Sequence, residues 1–137
     1  MQYVNFGTTG LQISRLGFGG IPIQRIDQPG TRELLIAAHK AGINYIDTAR
    51  GYTVSEAWIG QSLEEAGLRD DFILATKCRA LTKADMEAEI ATSLKNLRTD
   101  HIELFQFHNP SLDGLKTILA PGGAMEALLE AKARGIV

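Results

Sequence analysis

The chain has 137 residues, of which 45% are hydrophobic and 22% are charged, values that are ordinary for one globular domain. Its net charge of −2 gives no electrostatic reason to expect nucleic acid or an anionic membrane surface as a partner. The single cysteine, Cys78, excludes an internal disulfide, and no apolar run approaches the ~20 residues that span a bilayer.

The chain opens with a predicted β-hairpin within residues 1–15. The segments YVNF and LQIS flank GTTG, and a Gly-containing turn between two short β-prone runs is typical of hairpins. These first residues lack the charged and apolar regions of a signal peptide, so we expect a cytoplasmic protein. The segment RLGFGG then predicts a short strand that ends at Gly19 and Gly20.

Strands and helices alternate along the rest of the chain. Strands are predicted in INYID, FILATK and HIELFQFH, and helices near residues 31–41, in SEAWIGQSLEEAG, from about Thr82, and in AMEALLEAKAR. Thr53 and Glu56 have the spacing of a capping box at the start of the second helix. Residues 109–123 are predicted as a long loop, and the final GIV as the beginning of another strand. This alternation predicts four βα units over residues 16–134, forming a parallel sheet with crossover helices.

A different titratable residue ends each of three successive predicted strands: Asp47, Lys77 and His108. In βα barrels the carboxyl ends of the strands converge on the face that carries the active site. The three side chains would therefore surround one pocket mouth, with Lys77 as the partner of Asp47 on the neighbouring strand. Tyr52 follows Asp47 in a Gly-containing loop and would lie beside that pair.

Each of these four residues also fits an ordinary structural role when it is taken alone. Asp47 fits a cap, Lys77 a structural ion pair, His108 a hydrogen-bonded core residue and Tyr52 a packing residue with a solvated hydroxyl. Together they fit proton transfer to a carbonyl oxygen. An ammonium beside a phenol favours the tyrosinate, an acid keeps that ammonium charged, and an imidazole can polarise a carbonyl by hydrogen bonding. Metalloprotease, nucleophile-elbow and phosphate-loop motifs are absent from the sequence.

These residues resemble the aldo-keto reductase superfamily over essentially the whole chain. The segments that carry the resemblance are FGTTGLQISRLGFGG, IDTARGY followed by SEAWIGQSL, ILATK and FQFHNP. The resemblance implies an α/β fold of the (β/α)8 TIM-barrel type, of which residues 1–137 form the N-terminal half with a leading β-hairpin. It also implies that Asp47, Tyr52, Lys77 and His108 are the catalytic tetrad, with Tyr52 as the general acid.

The resemblance further implies an oxidoreductase that reduces a small aldehyde or ketone with NADPH, with NADH as the alternative. Gly20 would approach the cofactor through its backbone, and Asp47 would lie near the nicotinamide ribose. Tyr52, His108 and Asn109 would border the substrate. Ser55 and Glu56 fit the family pattern but are interpreted as helix-start residues. No metal is expected, and most cofactor contacts would come from the second half of the barrel.

Other hypotheses stay open at this point. A half-barrel leaves two edge strands unpaired, so the chain is expected to be a fragment of a longer reductase or to associate, for example as a homo-oligomer, to complete the barrel. It could instead be a catalytically inactive half-barrel or a binding or regulatory relative. A Schiff-base lyase acting through Lys77 is a further alternative, but the pairing with Asp47 argues against it because an acid keeps the lysine protonated.

Overall fold

The structure, a computed structural model, describes residues 1–137. The strands are β1 (Tyr3–Asn5), β2 (Gln12–Ser14), β3 (Phe18–Gly19), β4 (Tyr45–Asp47), β5 (Ile73–Cys78) and β6 (Leu104–Phe107). The α-helices are α1 (Gln28–Lys40), α2 (Ser55–Ala66), α3 (Lys83–Leu97), α4 (Leu112–Leu119) and α5 (Ala124–Ala133). Short 3-10 helices cover Ile21–Arg25 and Arg69–Asp71. None of the helices combines the length and the apolar character that a membrane span requires.

The sheet has the parallel order β3-β4-β5-β6, which is also the order of these strands in the chain. Each strand is therefore followed by helical structure and then by its neighbour in the sheet, which confirms the predicted α/β architecture with crossover helices. The register places Gly19 opposite Asp47, and Asp47 opposite Ala75. Strand β6 pairs on one side only, with β5.

The predicted hairpin forms from β1 and β2, which pair antiparallel outside the main sheet. Asn44 attaches it to the beginning of β4, because the Asn44 side chain accepts a hydrogen bond from Ser14 N at 2.6 Å and donates one to Gln12 O at 3.0 Å. The hydroxyl of Tyr3 donates to Gly42 O at 2.9 Å. The hairpin thus covers the amino ends of the strands, opposite the edge at which the predicted site residues lie.

One hydrophobic core lies between the sheet and its helices. The strands contribute buried side chains such as Ile46 and Leu74, and α2 contributes Ile59 and Leu63. Helix α3 has the predicted apolar stripe: its fully or nearly buried residues include Met86, Ile90 and Leu97, and Leu94 packs partly buried against the same core. This packing holds the carboxyl ends of the strands in fixed positions relative to one another.

The start of α1 and the capping of α2 differ from the prediction. Helix α1 begins at Gln28, ahead of the predicted residues 31–41, because Asp27 caps it and accepts a hydrogen bond from Gly30 N at 2.8 Å. The predicted capping box of α2 is wrong. Val54 precedes α2 without a side-chain cap, and Thr53, with φ of 42°, donates its hydroxyl to Gln24 at 3.1 Å.

The segment predicted as a long loop, residues 109–123, contains helix α4. Ser111 caps this helix by accepting a hydrogen bond from Gly114 N at 3.1 Å, and Ile118 is buried in the core. The final residues 135–137 do not form the predicted strand. Instead, Ile136 O accepts a hydrogen bond from Ile102 N at 2.9 Å.

Candidate active site

Three titratable side chains lie at the carboxyl edge of the sheet, as their positions in the sequence predicted. Asp47 is the last residue of β4, Lys77 is the residue before the end of β5, and His108 directly follows β6. Parallel strands present their carboxyl ends on the same edge, so the alternation of strands and helices alone brings these groups together.

Lys77 and Asp47 form the predicted ion pair. Lys77 Nζ donates to Asp47 Oδ1 and also to Thr48 O at 2.8 Å. Only 13% of the Lys77 side chain is exposed, compared with 37% of the Asp47 side chain. The second carboxylate oxygen, Asp47 Oδ2, accepts a long hydrogen bond of 3.4 Å from Gln106 Nε2. The ammonium is therefore fixed, while part of the carboxylate stays accessible.

Tyr52 lies in the loop between β4 and α2, above this ion pair. Lys77 Nζ lies over the Tyr52 ring, 5.1 Å from the ring centre. Lys77 directs its hydrogen bonds to Asp47 and Thr48, and none is directed to the Tyr52 hydroxyl. The lysine charge is thus close to the phenol, and the hydroxyl is free to meet another molecule.

His108 completes the group through its contact with Tyr52. The two rings are 5.6 Å apart between centroids and meet edge to face at 88°. The His108 backbone is held by a 2.7 Å hydrogen bond from its N to Cys78 O. Burial lowers the pKa of His108, and the charges of Lys77 and Arg79 lower it further, against an opposing effect of Asp47. A lowered pKa favours the neutral imidazole, in which one nitrogen donates and the other accepts.

Two adjacent cavities meet at His108. One, of about 450 Å³, is bordered by residues that include Tyr52, Arg79 and His108. The other, of about 380 Å³, extends toward the start of α4 and is bordered by residues that include Arg79, His108 and Asn109. Asn109 adopts a φ of 50°, a left-handed conformation that asparagine tolerates better than most residues. Tyr52 and Asn109 thus line neighbouring cavities rather than one.

Gly20 follows β3 directly, and its amide donates to Asp47 O at 2.7 Å. A Cβ atom at this position would lie 2.8 Å from Ser55 Oγ and 3.0 Å from Thr48 Oγ1. Ser55 is buried and donates its hydroxyl to Gly20 O at 2.9 Å. Internal packing is therefore sufficient to explain a glycine here, and Ser55 joins α2 to the end of β3 in addition to starting a helix.

Glu56 lies in the first turn of α2, as the sequence predicted, but its side chain does not cap the helix. The Glu56 side chain is 1% exposed and points into the protein interior. Its two carboxylate oxygens accept hydrogen bonds from four side chains: Thr76 at 2.8 Å, Ser93 at 2.8 Å, Arg50 at 3.0 Å and Asn96 at 3.1 Å. The spacing of Glu56 from Ile59 and Leu63 on the apolar stripe of α2 is the sequence signal that predicts an inward orientation.

Arg50 was not singled out in the sequence, yet it connects this buried carboxylate to the edge of the site. Its Nη1 donates to Glu56, and its Nε donates to Glu89 of α3 at 2.6 Å. Burial alone would lower the pKa of Arg50, but the hydrogen bonds and charges of Glu56 and Glu89 outweigh it and raise the pKa. Arg50 and Glu89 both border the cavity that Tyr52 lines.

Comparisons with known proteins point to one family. The family model described as "Aldo/keto reductase family" matches residues 7–137. The chain is 36% identical to aldo-keto reductase YhdN of Bacillus subtilis (strain 168), over 96% of this chain and 44% of that protein. It is 29% identical to the NADH-specific methylglyoxal reductase of Escherichia coli (strain K12), over 99% of this chain and 51% of that protein.

A solved structure agrees with these sequence comparisons. The holo form of aldo-keto reductase AKR11C1 from Bacillus halodurans is similar with a TM-score of 0.86 and 31% identity, over 99% of this chain and 48% of that chain. The four-stranded parallel sheet thus corresponds to part of a TIM barrel. The chain spans about half the length of the relatives that it matches.

Proposed function

This chain belongs to the aldo/keto reductase family, and from that premise we propose that it carries the proton-donating residues of a carbonyl reductase. The proposed reaction converts an aldehyde or ketone to an alcohol, with Tyr52 as the general acid. The observation that carries the proposal is the convergence of four side chains at one edge of the sheet. Lys77 pairs with Asp47, lies over the Tyr52 ring at 5.1 Å, and that ring contacts His108.

In the proposed mechanism the Tyr52 hydroxyl donates its proton to the carbonyl oxygen of the substrate. The O–H bond of Tyr52 breaks, a new O–H bond forms on the product, and the phenolate left behind lies near the ammonium of Lys77, which is 5.1 Å from the centre of its ring. Preorganised charge of this kind stabilises the transition state because no reorganisation is needed as the negative charge develops. Asp47 and Thr48 O keep that ammonium in place, and Tyr52 regains a proton from solvent before the next turnover.

His108 contributes as a neutral hydrogen-bond donor in this proposal. Its pKa is lowered by burial and by the charges of Lys77 and Arg79, which favours the uncharged ring with a single N–H donor. A hydrogen bond from that N–H to the carbonyl oxygen would hold the substrate at the position that the Tyr52 hydroxyl can reach. Asn109 would contact the substrate from the neighbouring cavity.

The residues present fit the nicotinamide end of a dinucleotide cofactor. Asp47 keeps an accessible carboxylate whose Oδ2 is held only by a 3.4 Å contact, so it can accept a hydrogen bond from a ribose hydroxyl. Gly20 borders the same strand end through its bond to Asp47 O. When bound, such a cofactor supplies the hydride that reduces the carbonyl carbon. We propose NADPH, and NADH is the alternative that the relative named as NADH-specific suggests.

We also propose that further βα units complete the barrel, because the chain matches about half of the length of its relatives and β6 pairs on one side only. Four such units would come from the same polypeptide or from a second copy of the chain. The alternative of a non-catalytic half-barrel predicts no turnover even when the barrel is complete. A Schiff-base lyase is disfavoured by the ion pair with Asp47, which keeps Lys77 protonated and therefore unable to attack a carbonyl.

The test is the change Tyr52→Phe, which removes only the hydroxyl, in the assembled protein with NADPH or NADH and a panel of aldehydes. General acid catalysis contributes about 10²–10⁴ in rate, so kcat is expected to fall by that factor while fluorescence titration shows unchanged cofactor affinity. Tyr3→Phe is the matched control, because Tyr3 lies in the hairpin at the opposite end of the sheet. Turnover by Tyr52→Phe at more than a few per cent of the control would overturn the assignment.

A further inference from the structure

The loop that carries Tyr52, residues 48–54, is joined to the protein interior through Arg50. Thr48 N donates to Ala75 O at 2.8 Å and the Arg50 amide donates to Lys77 O at 2.9 Å, so the pairing with β5 continues past the end of β4 into the loop. The Arg50 side chain then turns inward to the buried carboxylate of Glu56. Beyond this point the Tyr52 amide bonds only locally, to Ala49 O at 3.0 Å. Arg50 therefore fixes the loop on the side before Tyr52, while Ser55 N, which donates to Tyr52 O at 2.8 Å, fixes it on the side after.

Glu56 joins three elements at a single point. It accepts hydrogen bonds from Thr76 of β5 and from Ser93 and Asn96 of α3, and it forms the ion pair with Arg50 of the loop. Thr76 is the residue directly before Lys77. The Glu56 carboxylate therefore contacts Thr76, which directly precedes Lys77. It also contacts Arg50, which precedes Tyr52 by two residues.

Stability alone does not explain this arrangement. Burying a carboxylate and part of a guanidinium costs desolvation free energy, and replacing such a pair with apolar side chains of similar size is often neutral or stabilising. What a fully hydrogen-bonded buried pair supplies is directional constraint. Arg50 is suited to this because its planar fork holds Glu56 with one nitrogen and Glu89 with another, which a lysine cannot do in the same geometry.

We propose that Glu56 and Arg50 are positioning residues that fix the Tyr52 ring over Lys77 and edge-on to His108. Neither residue touches the reacting atoms in this proposal. Glu56 acts through Arg50, and Arg50 acts through the backbone of the loop. The inference rests on the proposed function, since it concerns the placement of the proposed acid.

The kinetic test compares Glu56→Gln, Arg50→Met and the double variant with a control, Glu64→Gln, in the assembled protein. Glu64 lies on the same helix and pairs with Arg98 at the surface. A misplacement of about 1 Å can cost on the order of 10²-fold in rate, so we expect kcat to fall ~10- to 100-fold in both single variants, with cofactor affinity unchanged.

The double variant is expected to match Arg50→Met within about threefold, because residues acting in one chain of contacts are not additive. Multiplied losses would overturn the proposal.

A second readout does not depend on activity. Incorporation of 3-fluorotyrosine gives one ¹⁹F resonance for each of the three tyrosines, and Tyr52→Phe identifies the resonance of Tyr52. We expect Glu56→Gln to shift or broaden the Tyr52 resonance and to leave that of Tyr3 unchanged. If Glu56→Gln does not fold, Arg50→Lys replaces it, because it keeps the charge and loses only the bidentate geometry.

The two proposals fail in different ways. If Tyr52→Phe is inactive while Glu56→Gln and Arg50→Lys match Glu64→Gln in kcat and in the Tyr52 resonance, the positioning role is wrong and the proposed function stands. If Tyr52→Phe keeps full activity, the proposed acid is wrong, and the resonance of Tyr52 still reports whether Glu56 fixes the loop. A lower melting temperature with unchanged kcat and an unchanged Tyr52 resonance would show a structural role only and would overturn the inference.

Discussion

Lys77 of β5 reaches back along the sheet to Asp47 of β4. The register places Asp47 opposite Ala75 and Lys77 opposite Gln106. Lys77 therefore lies beyond the end of β4, and its side chain points back toward Asp47. In this orientation its ammonium lies between Asp47, Thr48 O and the face of the Tyr52 ring. This ion pair therefore links the ends of β4 and β5 and holds the positive charge of Lys77 beside Tyr52, the proposed acid.

The change Asp47→Asn is expected to lower the free energy of unfolding, because it leaves the mostly buried Lys77 ammonium with an amide instead of a carboxylate. Asp47 is 37% exposed, so solvent screening reduces the loss to about 1–2 kcal/mol, below the loss for a fully buried pair. Urea unfolding at pH 7 measures it. The matched control is Glu64→Gln, which breaks the exposed pair with Arg98 and is expected to cost less than about 1 kcal/mol. Equal stability of the two variants would contradict the expectation.

His108 is expected to titrate below the ordinary histidine value of about 6.5 in an NMR titration of the three histidines. Burial and the charges of Lys77 and Arg79 lower its pKa, so Arg79→Gln should move the midpoint upward. Arg134→Gln, which removes a charge on the loop after α5, is the control and should leave the midpoint unchanged. A midpoint at or above the ordinary value in the unsubstituted protein would contradict the expectation.

The same lowered pKa has a consequence for stability. The unfolded chain binds a proton at His108 at a higher pH than the folded chain does, so the contribution of His108 is intact above pH ~6.5 and is lost as the pH falls from there through the folded pKa. His108→Gln should therefore flatten the acid side of the stability curve measured by urea unfolding. An unchanged slope below pH ~6.5 would show that His108 does not contribute to it.

The edge of the sheet at which the site lies could be predicted from the sequence, because local signals were sufficient. Continuous apolar runs such as FILATK predict buried strands, and alternation with helices predicts parallel pairing. Once the strands were located, Asp47, Lys77 and His108 followed as residues at equivalent strand ends. The ion pair of Lys77 with Asp47 required only that the two strands be neighbours.

The parts that escaped prediction depend on contacts between distant segments. Glu56 is bonded to Ser93 and Asn96, which are 37 and 40 residues away, and helix spacing can show that it faces inward but not what it meets there. Helix α4 was predicted as loop because it is short and contains Gly114, whereas burial of Ile118 and the Ser111 cap stabilise it. The orientation of the Tyr52 ring over Lys77 likewise depends on the whole loop.

Gly60→Ala is expected to destabilise the protein, because α2 and α3 approach closely at this residue. A Cβ at Gly60 would lie 2.5 Å from Leu97 Cα and also against Asn96 O, and these backbone atoms cannot move aside as a flexible side chain can. Overpacking of this kind costs about 1–3 kcal/mol or more in the free energy of unfolding. Gly19→Ala is the control, since no atom lies within 4 Å of its added Cβ. Equal midpoints of urea unfolding for the two variants would contradict the close approach.

Leu129→Lys is expected to weaken any association that completes the barrel. Leu129 of α5 is 58% exposed and borders an apolar cavity of about 470 Å³ beside the unpaired edge of β6, together with Leu104, Phe105 and Met125. A charge there would have to be buried against the added strand and helix, which costs desolvation free energy. Native mass spectrometry of the purified chain, alone and mixed with a separately expressed C-terminal half-barrel of a relative, measures the effect.

The matched control for this prediction is Leu119→Lys, because Leu119 of α4 has the same exposed fraction, 58%, and does not border that cavity. We expect the unsubstituted chain and Leu119→Lys to form the complex, and Leu129→Lys to form at least tenfold less of it, which corresponds to about 1.4 kcal/mol. If every sample shows only the mass of a single chain, then neither a second copy of this chain nor the C-terminal half-barrel covers the free edge of β6. Complex formation by Leu129→Lys at the control level would place the interface away from β6 and α5.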